Sequence, residues 1–237
     1  MERNDRKVKA YDYLAKYYDY LLGDEEAFSY WLKYIEEKDF KSCLELASGT
    51  GVMARILKDK GYEVIASDIS ESMKEAAKVN FDGEYLILNM IDFNLDKKFD
   101  LILCICDSLN YLYPEELDKM FKSVYKHLNN DGRFIFDMHN PLRLKEFSDE
   151  YIEEGQIDKD VNYQWTINSD LDEKTINEHF TFYTPDGMIQ EQHTQNVFEV
   201  DNVQKKLLEN KFKVRVIEDF TEDGKILFIG EKNEEMV

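Results

Sequence analysis

LELASGTG, from Leu44 to Gly51, decides how the chain is read. An apolar run breaks into a small-residue loop and resumes with Met53, Ile56 and Leu57 at a 3.6 period, which predicts a strand, a tight turn and a helix start. Gly49 and Gly51 permit positive φ and close approach of a ligand to the backbone, and Thr50 is placed to cap the helix. The turn is where a nucleotide-like ligand would sit. Gly49-x-Gly51-x-x-Ala54 also satisfies the dinucleotide fingerprint, with Asp68 at the distance of a ribose-binding acid.

Downstream, short apolar strands alternate with helical patterns. Strands are expected at Glu63 to Ser67, Tyr85 to Leu88, Phe99 to Cys106 and Arg133 to Met138. Helices are expected from the loop to Lys60 with Gly61 as stop, from Ser70 with a Ser72-x-x-Glu75 box, and over Glu115 to Leu128 with Pro114 at its first position. Asn129 to Gly132 reads as a turn. Upstream, Val8 to Leu22 reads as one helix stopped by Gly23, and Asp24 as the cap of Glu25 to Lys38. This alternation implies βαβ units and a doubly wound α/β sheet.

From Pro141 the period changes to two. Residues 161 to 169, 174 to 183 and 188 to 198 alternate and are rich in aromatics, which predicts an antiparallel insert without a helix. Helical spacing returns at Val203 and Leu207. Two strands, Lys213 to Phe220 and Lys225 to Lys232, then form a C-terminal hairpin that completes a seven-stranded sheet. The expected division is 1–140 for the first part of a cofactor-binding domain, 141–198 for the insert and 199–237 for the completing helix and hairpin.

Composition excludes several classes. The 237 residues, 43% of them hydrophobic, suffice for one sizeable core. The longest apolar run, Leu101 to Cys106, is far short of a membrane span, and no apolar segment follows the charged start, so neither membrane insertion nor export is expected. A net charge of −20 argues against a nucleic-acid partner. Cys43, Cys104 and Cys106 fall in apolar runs and read as buried thiols of the cytoplasm.

Four further features narrow the ligand. Glu45 sits inside the first strand, Asp92 and Phe93 follow the third within NMIDF, and DSLNY from Asp107 to Tyr111 follows the fourth. Together with the loop they resemble class I S-adenosylmethionine-dependent methyltransferases, especially small bacterial members with a β insertion after the fifth strand. The resemblance covers most of residues 8 to 140 and 199 to 232. LELASGTG looks like the family's acid-x-Gly-x-Gly-x-Gly motif, with Ala47 at its first glycine position, and IASDIS-x-x-M looks like its second motif.

The resemblance implies a Rossmann-like fold and a cofactor, S-adenosyl-L-methionine, bound by specific residues. Asp68 would hold the ribose hydroxyls and Asp92 the adenine amine, flanked by Phe93, Ile69 and Met73. Backbone groups of Ala47, Ser48 and Gly49 would meet the methionine end, covered by Tyr11 and Tyr17, and Glu45, Gly51 and Asp107 would also belong to the cofactor site. The implied reaction is methyl transfer to a small-molecule acceptor under the insert, whose Tyr163, Trp165, Phe180 and Phe182 suit a partly apolar one. Candidate bases are Asp107, Tyr111 and His139. His179 and Glu191-x-His193 on the insert fall short of a metal site on sequence grounds, and none is expected. Competing readings are a nicotinamide-dependent oxidoreductase, which lacks a Tyr-x-x-x-Lys pair after the loop, and a cofactor-binding relative without turnover. The sequence leaves the oligomeric state open.

Overall fold

The computed structural model describes residues 11–23, 25–221 and 224–232. Asp24, part of the final turn and the first residues of the Val8 to Leu22 helix lie outside them. Within 11–23 the expected helix is instead a 3₁₀ turn, Leu14–Lys16, followed by a one-turn helix α1 (Tyr18–Leu21). The second helix, α2 (Ser29–Ile35), is likewise shorter than its pattern suggested.

The chain then lays down β1 (Ser42–Glu45), α3 (Val52–Asp59), β2 (Glu63–Asp68), α4 (Glu71–Ala77), β3 (Glu84–Ile87), β4 (Phe99–Cys104), α5 (Leu117–His127) and β5 (Leu128–Met138). A short helix α6 (Arg143–Glu146) precedes β6 (Tyr151–Gln156), β7 (Asn162–Asp170), β8 (Thr175–Thr184) and β9 (Gly187–Asn196). The chain closes with α7 (Val200–Glu209), β10 (Phe212–Ile217) and β11 (Ile226–Lys232). The insert therefore holds one strand, β6, and one helical turn that its alternation did not announce.

Seven strands make the main sheet in the order β10-β11-β5-β4-β1-β2-β3. Every pairing is parallel except those of β11, which runs antiparallel to β5 and β10. Beyond Asp100, β4 is apolar because both its faces are covered. Ile102 and Cys104 pack with α5 and α7 through Phe121, Val124 and Val203, whereas Leu101 and Leu103 pack with α2 and α3 through Trp31, Ile35, Met53 and Leu57. Four antiparallel strands, β6-β7-β8-β9, form the second sheet. Among the described residues no helix is long and apolar enough to cross a membrane.

Three boundaries differ for local reasons. Pro114 lies three residues ahead of α5 rather than at its first position. Asn129 to Gly132 is not a turn between elements but an irregularity within β5, where pairing with β4 shifts between Phe99 and Leu101 and Asp131 takes φ 59°. The α4 cap is the Ser70 side chain, which accepts the Met73 N–H, so the Ser72-x-x-Glu75 box is not the start of that helix.

Candidate functional site

The site begins where β1 ends. Beyond Glu45 the backbone turns through positive φ at Ala47 (52°), Gly49 (54°) and Gly51 (75°). Ala47 holds a left-handed conformation that costs a non-glycine residue roughly 1 kcal/mol. Two carboxylates shape the loop. Glu45 accepts the Ser48 hydroxyl at 2.7 Å, while Asp68 accepts the Gly49 N–H at 3.1 Å and the Ser70 N–H at 2.9 Å. Gly49 faces open space, since a Cβ built there meets nothing within 4 Å. Thr50 does not cap α3. Its hydroxyl donates to Asp19 at 2.5 Å, tying α1 to the loop, and Gly51 occupies the cap position.

Burial acts on both acids. Glu45 is 2% exposed, and burial pushes its carboxyl up to about 8 against the opposing Ser48 hydrogen bond. Asp68 is 8% exposed and is also raised by burial, which its backbone donors oppose.

A second arrangement follows β4. Cys106 and Asp107 both take positive φ, 58° and 57°, and their N–H groups converge on the Asp137 carboxylate at 2.8 and 2.9 Å. Trp31 Nε1 donates to the same carboxylate at 2.9 Å. Burial would raise Asp107, yet His139 and Lys225 hold it well below the usual range, Lys225 Nζ lying 2.8 Å away. His139 Nε2 is 2.7 Å from Gln195 Oε1, and burial lowers its pKa against the pull of Asp107. Tyr111 shares a 2.5 Å contact with the Tyr11 hydroxyl, and burial raises its phenol.

One cavity of 1510 Å³ joins these parts to the insert. Tyr11, Glu45, Ala47, Ser48, Gly49, Asp68, Ile69, Met73, Asp107, Tyr111 and His139 line it. Of the insert's aromatics only Trp165 lines it, because Phe180 and Phe182 are buried in the insert's own core with Tyr163 packed against them, and four of the expected cofactor residues do not line it either. Gly51 is beneath the loop, where a Cβ would meet Phe81 at 3.0 Å. Tyr17 packs on Phe182, 5.8 Å between centroids, and Tyr18 lines the cavity in its place. Asp92 is exposed, and Phe93 is buried against His127 at 4.7 Å. At that strand end the lining is Leu88, Asn89, Met90 and Ile91.

Several lining residues escaped the sequence reading or, like Glu191 and His193, were weighed there only as metal ligands. Glu191 accepts the backbone N–H groups of Tyr11 at 3.0 Å and Leu14 at 3.1 Å, and also that of Tyr13, so β9 fastens the N-terminal segment. Burial would raise its carboxyl, but His193 and these donors keep it low. Asn196 also ties the insert to the end of β4: Asn110 Nδ2 donates to its carbonyl at 2.6 Å and its own amide donates to the Leu112 carbonyl at 2.9 Å. Arg143, Glu178 and His193 complete the insert side, and Lys225, just ahead of β11, lines the cavity from the main sheet. The alternation of β9 was the only available signal, since it sets Glu191, His193 and Gln195 on one face. Among the described residues no group of three or more His, Cys, Asp or Glu is arranged to hold a metal ion.

This chain is similar to known proteins over nearly its whole length. Residues 43–132 match a family model described as a methyltransferase domain. The putative methyltransferase YqeM of Bacillus subtilis is 31% identical over 226 residues, 90% of each chain. A putative methyltransferase of Geobacillus is 26% identical over 94% of this chain and 99% of its own. Among solved structures, an S-adenosylmethionine-dependent methyltransferase from Clostridium acetobutylicum superimposes with a TM-score of 0.78 at 24% identity, covering 94% of this chain and 99% of that one. The sugar N-methyltransferase KedS8 from Streptoalloteichus gives 0.79 at 18% identity, covering 92% of each.

Proposed function

The chain belongs to the methyltransferase family, and we propose that it transfers a methyl group from S-adenosyl-L-methionine to a small-molecule acceptor held between the main sheet and the insert. The observation that carries this reading is the continuity of one cavity from the Glu45 to Gly49 loop and Asp68 to the inner face of β8 and β9. The residues fit the cofactor. Asp68 spends one acceptor site per oxygen on the backbone and retains others for a pair of hydroxyls. Gly49 leaves its side of the loop open, and the acidic lining suits a cationic ligand.

When bound, S-adenosylmethionine supplies an activated methyl group on a sulfonium. The chain's own task is to bind, align and shield. Asp68 holds the ribose. Tyr11 and Tyr18 cover the loop, fastened by Glu191 and by the Thr50 to Asp19 bond. Ile69 and Met73 with Leu88 to Ile91 offer apolar faces to the base. Residues 141–198 shape the acceptor side. They also support the cofactor side, because Glu191 and Asn196 reach across to it. The free cysteines support a reducing, cytoplasmic setting. Family membership does not favour a nicotinamide reading.

Calorimetry with S-adenosylhomocysteine and with NAD tests the assignment. Binding of the first alone is expected; binding of NAD alone overturns it.

A further inference from the structure

The insert presents a row of side chains that the cofactor side does not use. In the β7-β8-β9 register, Ile167 stands opposite Glu178 and Glu178 opposite His193. Trp165, Phe180 and Glu191 form the adjacent row on the same face, because residues two apart along a strand point the same way. Glu178, His193, Trp165 and Ile167 all line the cavity.

His193 is 2% exposed, and neither of its ring nitrogens has a hydrogen-bond partner. An unsatisfied buried donor or acceptor is costly, so such a ring marks a place where a ligand atom completes the pairing. Its ring is held on one side by Tyr11, centroids 4.4 Å apart, and edge-on by Phe180 at 5.7 Å. Glu191 Oε2 lies 3.7 Å from Nε2 but is already committed to backbone donors. The Glu178 side chain makes no hydrogen bond or ion pair with the described residues, and burial raises its carboxyl, with His193 opposing. A carboxylate in that position gains from an arriving cation. The whole lining carries eight acidic side chains, of which Glu45 is held protonated by burial, against two permanent cations, Arg143 and Lys225, and Lys225 is tied to Asp107. Aromatic faces beside a carboxylate favour an ammonium and disfavour an anionic acceptor.

We propose that the acceptor is an amine, which Glu178 receives as the ammonium ion and from which His193 takes the proton before methyl transfer. The proposal rests on the methyltransferase reading above. The ammonium N–H bond breaks, its proton goes to a His193 ring nitrogen and the electron pair stays on the amine. The nitrogen lone pair then forms the new bond to the methyl carbon as the carbon–sulfur bond breaks and leaves its pair on sulfur, giving S-adenosylhomocysteine and an N-methylammonium product. His193 returns its proton to water as the product leaves.

The first test needs no cofactor. Benzylamine, benzyl alcohol and benzoate share one ring and differ in charge, and each is titrated into the full chain by calorimetry and followed at the His193 ring by NMR. Selective binding of benzylamine is expected, weakened by about tenfold or more in Glu178→Gln. Equal binding of the alcohol or benzoate, indifference of Glu178→Gln, or no saturation by benzylamine up to about 10 mM overturns the proposal. The second test incubates the enzyme with S-adenosylmethionine carrying a ¹³C methyl and the small-molecule fraction of a bacterial extract, and reads the labelled product by NMR. Label on nitrogen supports the proposal, and label on oxygen, carbon or sulfur refutes it. His193→Gln is expected to keep benzylamine affinity while N-methyl formation falls by about 100-fold or more, the usual contribution of a general base; unchanged turnover removes His193 from the mechanism. Should S-adenosylhomocysteine fail to bind the wild-type chain, the methyltransferase reading falls, and the cofactor-free titrations still report on the amine site separately.

Discussion

Replacing Glu45 by glutamine should change how stability depends on pH. Glu45 is 2% exposed, and burial raises its carboxyl from an ordinary 4.5 to about 8. The folded state thus keeps a proton that the unfolded chain releases near 4.5. Between these values the native state binds more protons, so stability is fully present below the lower value and declines as pH rises through the upper one. At about 1.4 kcal/mol per unit of pKa difference, the decline totals about 5 kcal/mol, of which about 2.5 kcal/mol falls between roughly pH 5.5 and 7.5. Glutamine retains an oxygen for the Ser48 hydroxyl, 2.7 Å away in the native site, and has no proton to lose. Urea denaturation of both proteins across this range is the assay, with the difference between their curves as the readout, since other titrating groups cancel in it. Glu45→Gln should gain on the wild type steadily with rising pH. Curves that stay parallel to within about 0.5 kcal/mol would refute the argument that Glu45 is held protonated by burial.

Three other substitutions probe the rest of the site. Asp68→Asn keeps an acceptor oxygen for the loop and should cost about 1.5 to 3 kcal/mol of S-adenosylhomocysteine binding by calorimetry; alanine is the poorer probe, because it strips the acceptor from the Gly49 and Ser70 N–H groups and so destabilises the fold as well. Unaltered affinity in Asp68→Asn would mean that another group holds the ribose. Glu191→Ala frees the N–H groups of Tyr11, Tyr13 and Leu14 and should lower unfolding stability by about 3 kcal/mol, with weaker S-adenosylhomocysteine binding as Tyr11 and Tyr18 loosen. Loss of stability with no change in affinity would show that the N-terminal segment does not cover the cofactor. Lys225→Met leaves Asp107 and Asp137 buried without their cation and should cost about 3 to 5 kcal/mol in denaturant unfolding. A loss under about 1 kcal/mol would assign that network little structural weight.

What the sequence determined by itself is the part built from near neighbours. A strand, a glycine turn and a helix within Leu44 to Asp59, and an acid ending the next strand at Asp68, follow from apolar period and turn chemistry, because their partners lie within one βαβ unit. The parallel core and its antiparallel closing strand follow from the same alternation. Tertiary structure alone decided the rest. Alternation placed Asp92 and Phe93 after a strand, yet the turn there sends Phe93 into the core against His127 and leaves Asp92 in solvent, a choice made by packing with α5. Helical spacing could not tell Tyr17 from Tyr18, because the segment is two short helical pieces whose direction is set by Glu191, some 180 residues away. The same holds for Lys225 beside Asp107 and for Glu178 opposite His193. Each is a charge or polar ring whose burial depends on which strands close over it, and charge burial leaves no period in a sequence.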